Sequence, residues 1–536
     1  MQKILFAISS FAVLFATARA DQHPISIDGS FDDWASVTVA YEDEIGDGFP
    51  ADFVRVWLAD DAEFLFVRIE FTGLVDASEN NSIRLLLDTD NDSGTGLQMA
   101  GIGAELEWVL GERFGVLRAQ GESVVVAQND ISFRGGPTVT SNSFEFAIGR
   151  DSMPGGVYPL FTGPSIRVAI VDVSGNDQLP NAGEVLDYEF DLGQTPTISV
   201  IPLERVVPSD LRMLSHNVLG DGPWNPSLQQ SFGRLWSVPQ PDILNLQEVF
   251  SHSLGETIEL VDQLVPPKVG EAWYGAKQFD CVTISRFPVL DSWAIDGNLA
   301  VLLQTSGEYG KDCLIINAHL PCCNNNVARR VEIDRLMEFV RDARESGGRI
   351  TLDQGTPIVI CGDLNLVGFA QDLVTLLTGD IGDNGTYGPD FEPDWDLTDL
   401  ENVISRQTER RMGYTWRNDA SSFWPGQLDY FIYTDSVLDL RKDYLIYTPE
   451  MAEPMGLGLA HEDSLVSDHL VFVADFHIPN DILHGDVNRD GQINLLDVAP
   501  FIDVLSSGGY QAEADVNKDA VVNLVDVAPF IDLLGN

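Results

Sequence analysis

The 536-residue chain carries 83 Asp and Glu against 31 Lys and Arg, a formal net charge of −52. It is too long for one domain and lacks the basic balance of a typical nucleic-acid scaffold. At 44% hydrophobic, 9% aromatic and 21% charged residues it has enough apolar material for large cores, which excludes a mostly disordered chain.

The acidity is spread over the whole chain. Residues 21–200 hold 8 basic and 31 acidic side chains, residues 205–478 hold 19 and 41, and residues 479–536 hold 2 and 10. A solvated acidic surface of this kind suits a salty medium, where screening weakens self-repulsion, and also supplies carboxylates for cation sites.

At the start, Lys3 precedes an apolar run from Ile4 to Ala16, followed by Ala18-Arg19-Ala20. Residues 1–20 therefore read as a secretory signal peptide, with a mature, secreted chain beginning near Asp21. No later run approaches the ~20 apolar residues that a membrane span needs.

Residues 21–195 alternate short β-rich runs (FVRVWLA, FLFVRIEF, IRLLLD, IRVAIVDV) with Gly, Asn and Asp turns, which predicts an all-β sandwich. Asp88, Asp90 and Asp92 in LLLDTDNDSGTG are spaced i, i+2, i+4 on a Gly-containing loop, as a Ca²⁺ site requires. Trp34 and Trp108 either pack in the sandwich or stand free to stack on a sugar ring.

A linker at 196–209 leads to residues 210–478, where strand-like runs (LRMLSHN, DILNLQEV, CLIINAHL, PIVICGDLN, LDYFIYTD) are separated by helical stretches, the pattern of an α/β domain. In VARRVEIDRLMEFVRDARES, Val327, Val331, Leu336, Met337 and Val340 are expected on one face packed against a sheet. All five cysteines lie here. Cys281, Cys313 and Cys361 read as core, while vicinal Cys322-Cys323 is open to a disulfide or a metal. Arg329-Arg330 and the group Arg406, Arg410, Arg411 and Arg417 are the basic clusters, open to local phosphate contacts; the helix bearing the first is interleaved with Glu332, Asp334 and Glu338 and reads as a salt-bridged solvent face. Phe423-Trp424-Pro425 is the one aromatic loop suited to a lipid surface.

Polar groups end several of these runs: Asn217 in SHNVLG, Glu248 in NLQEV, His319 in NAHL, Asp363 and Asn365 in GDLN, Asp429 in LDYF, and Asp468-His469 in SDH. Singly, each has a bland account as a turn, a cap or a core histidine. Together, in this order, they resemble the endonuclease/exonuclease/phosphatase superfamily of deoxyribonuclease- and sphingomyelinase-like metallohydrolases. The resemblance implies a four-layer α/β sandwich of two packed mixed sheets flanked by helices. It also implies a Mg²⁺ or Mn²⁺ held by Glu248 with Asn217 and, as an auxiliary contact, Asp468. His469, oriented by Asp429, is then the general base on water, and Asp363 positions the water or shares that role. Asn365 and His319 donate to the phosphate, with His319 the candidate acid and Asp280 its supporting carboxylate. Phosphodiester cleavage requires such a set independently: a cation, an activated water and fixed donors. The implied activity is phosphodiester hydrolysis, nuclease-type first, with sphingomyelinase, phospholipase or phosphomonoesterase activity as alternatives. The rival from another class is a carbohydrate-binding adhesion protein with an inactive central domain.

After a linker at 479–485, DVNRDGQINLLDVAPFIDVL from Asp486 recurs as DVNKDAVVNLVDVAPFIDLL from Asp515, a period of 29 residues. Asp486, Asn488, Asp490, Gln492, Asn494 and Asp497 fall at the ligand positions of a Ca²⁺ loop, and Asp515, Asn517, Asp519, Val521, Asn523 and Asp526 repeat them. Ala520 replaces the turn glycine, so the second site is expected to be the weaker. Each loop enters a short apolar helix, and the two should pack on each other. Residues 486–536 thus resemble the type I dockerin family, a small EF-hand-like α module, which implies Ca²⁺ and a cohesin-like receptor or cell-surface partner. The opening ISIDGSFDDW resembles family-nine-type carbohydrate-binding sandwiches, which implies a polysaccharide partner. None of the central motif residues lies in that module, so its expected role is targeting.

Overall fold

The computed structural model describes residues 24–156, 158–191, 198–479, 484–488, 492–507, 509–517 and 521–534. The signal-peptide reading of residues 1–20 lies outside them. Among the described residues, no helix is long and apolar enough to cross a membrane.

The β-rich runs of the N-terminal region form two antiparallel sheets. One orders the strands Val39–Glu42, Phe53–Asp60, Phe64–Val75, Ser141–Gly149 and Arg134–Gly136; the other is built around Ser165–Asp172, Ile83–Asp88, Leu106–Val109 and Phe114–Ala119. Their inward positions, among them Val67, Leu85, Leu87, Phe144, Phe146 and Val168, make one core. Trp108 is fully buried there, stacked on Phe133 with ring centroids 4.7 Å apart. Trp34 is buried as well, its indole N–H donating to Glu145 Oε2 at 2.9 Å. Neither ring is free to stack on a sugar.

The central region forms two six-stranded mixed sheets. In the first, Leu211–Asn217 and Ile243–Gln247 run parallel at the centre; in the second, Cys313–His319 and Ile358–Asp363 do so. These central strands are buried, with His319 at the end of one half-buried, which is why they read as continuous apolar runs. The sheets meet face to face through Met213, Ile243, Val301, Ile315, Val359 and Phe472. Helices Gln229–Ser237 and Leu254–Leu264 cover the outer face of the first sheet, and Asn326–Arg344 and Ala370–Thr378 that of the second, giving four layers. Cys281, Cys313 and Cys361 are buried free thiols.

The face of Asn326–Arg344 differs from the expected one. Arg329, Ile333, Leu336, Met337 and Val340 point inward, whereas Val327 is 74% exposed and Val331 is 36% exposed. Leu336, Met337 and Val340 set the buried stripe, and stepping back from them by three or four residues reaches Ile333 and Arg329 rather than Val331 and Val327.

The sandwich does not hang free. Ile25, Ile27, Trp34, Trp57 and Phe66 belong to the same core cluster as Met412 and Tyr414 of the central region. Ile27 pairs in a bridge with Met412, and Val139 with Gly368. Arg410 pairs with Glu63 and Arg411 with Asp61 across this junction. Trp424, expected as part of a lipid-facing loop, is instead buried in the sandwich core against Phe133 and Phe146, at 5.2 and 6.2 Å between centroids.

At the C-terminus, Val498–Ser507 and Val527–Leu534 are the two short helices of the repeat, and Phe501 and Phe530 stack with ring centroids 4.1 Å apart. Asp486, Asp497, Asp515 and Asp526 are buried. Asp497 accepts from the backbone N–H of Asn488 (2.9 Å) and Asn494 (2.8 Å), and Asp526 accepts from Asn517 (3.1 Å) and Asn523 (2.9 Å), so the last ligand position closes each loop the same way. Gln492 and Val521 are placed within these loops, while Asp490, Asp519 and Ala520 lie outside the described residues.

Candidate active site

Register explains why residues far apart in sequence meet. In the second sheet His319 pairs across from Asp363, and Asp363 from Asp429, so three strand ends present their polar residues in a row. In the first sheet Asn217 pairs with Gln247, which places Glu248 one residue beyond the strand end. Side-chain alternation then sorts the SHN motif: fully buried His216 accepts from the Trp236 indole N–H at 3.1 Å, while Asn217 turns toward the other sheet. Glu248 and Asn365 both have left-handed backbones, at φ 65° and 47°, a conformation that Asn tolerates and that is costly for Glu.

Asn217 joins the two sheets. Its Nδ2 donates to Asp363 Oδ2 at 2.9 Å and to Glu248 Oε1 at 3.1 Å, and Glu248 Oε2 accepts from the Gly220 N–H at 2.7 Å. Two imidazoles approach the same Asp363 oxygen: His319 Nε2 at 3.6 Å and His469 Nε2 at 3.5 Å. The far edge of each ring is held by a carboxylate, His319 Nδ1 by Asp280 at 2.6 Å and His469 Nδ1 by Asp429 at 2.8 Å. A carboxylate at Nδ1 fixes the tautomer and leaves Nε2 aimed at Asp363. Asn365 donates from Nδ2 to the Leu320 carbonyl at 3.0 Å, and its backbone N–H reaches Asp363 Oδ1 at 3.1 Å.

Burial alone lowers the affinity of His469 for its proton, yet Asp429 and Asp363 outweigh it and raise the pKa to about 10. His319 is raised for the same reason: burial pulls down, and Asp280 and Asp363 pull up more strongly. Burial pushes the Asp363 carboxyl above the usual range despite the pull of the neighbouring imidazoles.

These residues floor a cleft of about 590 Å³ lined by Glu248, His319, Asp363, Asn365, Asp468 and His469, with Asn217 and Asp429 buried behind it. Ligand atoms of Asp363, Asp429 and His469 lie within 4.8 Å of one another. Glu248, Asp363 and Asp468 bring three carboxylates to one cleft that, among the described residues, no Lys or Arg lines. Hard oxygen donors with excess negative charge fit Mg²⁺ or Mn²⁺. Asp468, on the same cleft as Glu248, accepts at Oδ2 from the Trp416 indole N–H at 3.1 Å. Trp416 was not legible as a site residue, since an aromatic in GYTWR carries no motif of its own.

Elsewhere, Asp88 and Asp90 gather as expected, but the third carboxylate beside them is Glu105 rather than Asp92. Asp92 is exposed and its Oδ1 caps the Gly94 N–H at 2.9 Å. Cys322 and Cys323 are exposed neighbours that line the cleft, with no disulfide between them.

Residues 214–469 match the Endonuclease/Exonuclease/phosphatase family, and residues 484–534 match the Dockerin type I domain. The chain therefore carries an endonuclease/exonuclease/phosphatase domain behind an all-β region and ahead of a dockerin type I domain. Similar solved structures include D. rerio TDP2 complexed with single strand DNA product (15% identity, 50% of this chain and 99% of that one, TM-score 0.33). ANGEL2, a 2',3'-cyclic phosphatase, is similar at 16% identity over 50% of this chain and 95% of that one, with a TM-score of 0.34. Beta toxin from Staphylococcus aureus is similar at 14% identity over 49% of this chain and 99% of that one, with a TM-score of 0.31. No curated protein matches the chain in sequence.

Proposed function

We propose that the central domain is a divalent-cation-dependent phosphodiesterase, exported and docked through its C-terminal module. The observation that carries this reading is the pair of carboxylate-held imidazoles converging on Asp363 Oδ2, at 3.6 and 3.5 Å, beside the Glu248–Asn217 pair.

Glu248, with Asn217 and Asp468 as further donors, would hold the cation, which would supply positive charge against the phosphate oxygens. The chain's own groups do the rest. His469 Nε2 accepts the proton of the attacking water, and Asp429 at Nδ1 stabilises the imidazolium that results. Asp363 orients that water from between the rings. His319 Nε2, charged through Asp280, donates toward the leaving oxygen, and Asn365 contacts the phosphate. A nuclease-type substrate is the form expected from sequence; the lipid-headgroup and phosphomonoester forms use the same machinery.

The dockerin match supports an extracellular placement and a cohesin-like partner. Its repeat-related residues Leu495 and Leu524 are 79% and 78% exposed, equivalent apolar positions on the two copies.

The test is hydrolysis of bis(p-nitrophenyl) phosphate by the full chain. Turnover should stop with EDTA and return with excess Mg²⁺ or Mn²⁺. Equal turnover with and without EDTA would refute cation dependence, and none under any condition would leave the adhesion reading with an inactive central domain.

A further inference from the structure

The cleft above the site is not built by the central domain alone. One wall comes from the sandwich, through the loop Asp76–Glu79 that follows strand Phe64–Val75, and through Pro137 and Thr138. This wall is fastened beside the site. Thr138 Oγ1 donates to the carbonyls of Leu366 (2.7 Å) and Gln427 (3.2 Å), and the Thr140 N–H donates to the Gly368 carbonyl at 2.6 Å. Leu366 follows Asn365 directly, so the sandwich is anchored to the segment that bears a site residue.

The wall is negative. Asp76 and Glu79 line the cleft, and among the described residues no Lys or Arg does. Arg113 pairs with Glu79 at 3.4 Å and lies over the Phe423 ring at 4.0 Å, so it offsets part of the Glu79 charge and leaves Asp76 uncompensated by it. The arginines that could have tracked a phosphate backbone are engaged elsewhere: Arg329 is fully buried against Asp372 at 3.5 Å, Arg417 holds Asp419 at 2.7 Å, and Arg410 and Arg411 clamp the sandwich. From the central domain the cleft instead receives two exposed rings, Phe250 at 49% and Phe279 at 68%, with centroids 6.1 Å apart.

A duplex or single strand carries a phosphate at every step and is held by cationic side chains that displace its counterions. A phosphate held at the cation site would leave its flanking phosphates to face Asp76 and Glu79. We propose that Asp76 and Glu79 of the sandwich are specificity-determining residues that repel flanking phosphates, so that the site selects monoanionic phosphodiesters whose apolar substituent rests on Phe250 and Phe279. This rests on the phosphodiesterase reading above and narrows its substrate class.

The experiment compares kcat/KM of the full-length protein, in Mg²⁺, for three substrates: bis(p-nitrophenyl) phosphate, monomeric dihexanoyl phosphatidylcholine and a single-stranded oligonucleotide. The first two separate an aryl from a lipid source of the same chemistry. The oligonucleotide should be the poorest, and raising salt should improve it, opposite to a protein that binds nucleic acid through cations. The double variant Asp76→Asn, Glu79→Gln keeps the loop's acceptor oxygens; it should raise the ratio of oligonucleotide to aryl turnover by about tenfold at low salt and flatten its salt dependence. Phe250→Ala with Phe279→Ala should raise KM for the apolar diesters without a matching change for the oligonucleotide. An oligonucleotide preferred by the wild type, with turnover that falls as salt rises and a ratio the double variant leaves unchanged, would overturn the proposal. Absence of turnover on all three would overturn the phosphodiesterase reading itself, and this inference with it.

Discussion

Asp363 Oδ2 lies 3.5 Å from His469 Nε2, on the ring edge opposite the one that Asp429 holds at 2.8 Å. A water bridging Asp363 Oδ2 and His469 Nε2 from the cleft side would be both oriented and deprotonated by groups the fold has already fixed. The arrangement needs the register that sets Asp363 across from Asp429 in the sheet.

The pH profile reads this arrangement directly. His469 acts as a base only when neutral, and its pKa is raised to about 10, with burial opposing and Asp429 and Asp363 prevailing. Activity should therefore rise with pH through the folded-state pKa. A cation at Glu248 draws on the charge of Asp363 and brings the value down, so the acidic limb of kcat/KM should fall between ~6.5, the ordinary histidine value, and that limit. Asp429→Asn removes the main attraction for the proton and should shift the limb downward while lowering kcat. A limb that stays in place in Asp429→Asn would show that another group titrates.

Calcium should order the C-terminal module. Buried Asp486, Asp497, Asp515 and Asp526 gather negative charge around a small apolar core that, among the described residues, includes Phe501, Phe530, Val487 and Val522. Limited proteolysis of the full chain should leave residues 484–534 intact with Ca²⁺ and release them with EDTA, while the rest resists. Identical patterns would refute the calcium assignment. Asp526→Ala should need more Ca²⁺ for protection than the wild type.

The sandwich should prove necessary for folding, against its expected targeting role. Trp424 buries its ring among Phe133 and Phe146 of the sandwich, and truncating a buried aromatic costs ~3–5 kcal/mol. Trp424→Ala should lower Tm by several degrees, and a chain beginning near Ile198 should be insoluble or inactive. A soluble truncated chain with wild-type turnover and substrate preference would contradict the shared core.

The layers and the convergence of the strand ends at the candidate site were legible because both rest on local pattern. Continuous apolar runs ending in Asn217, His319 and Asp363 mark buried central strands, and those ends converge once the strands pair. The duplicated loops announced the packing of Phe501 on Phe530. What sequence did not carry was long-range placement. Trp424 read as part of a free loop because nothing local says that Phe133 and Phe146, far earlier in the chain, cover it. Glu105 stands in a different strand region from Asp88, so carboxylate spacing pointed to Asp92 instead. Val327 and Val331 misled because apolar residues near a helix start satisfy the spacing count while facing solvent.

The most direct test of the central claim is a Mg²⁺ titration of turnover for the wild type, Glu248→Gln and His469→Ala. Glu248→Gln keeps shape but removes the charge that attracts the cation, so its curve should shift to higher Mg²⁺ and recover part of the lost rate at saturation. His469→Ala should keep nearly the wild-type midpoint while its plateau stays ~10²–10⁴-fold lower, because added cation cannot accept the water's proton. If instead His469→Ala reaches the wild-type plateau, or both variants shift the midpoint alike, the division between a cation-holding Glu248 and a proton-accepting His469 is wrong.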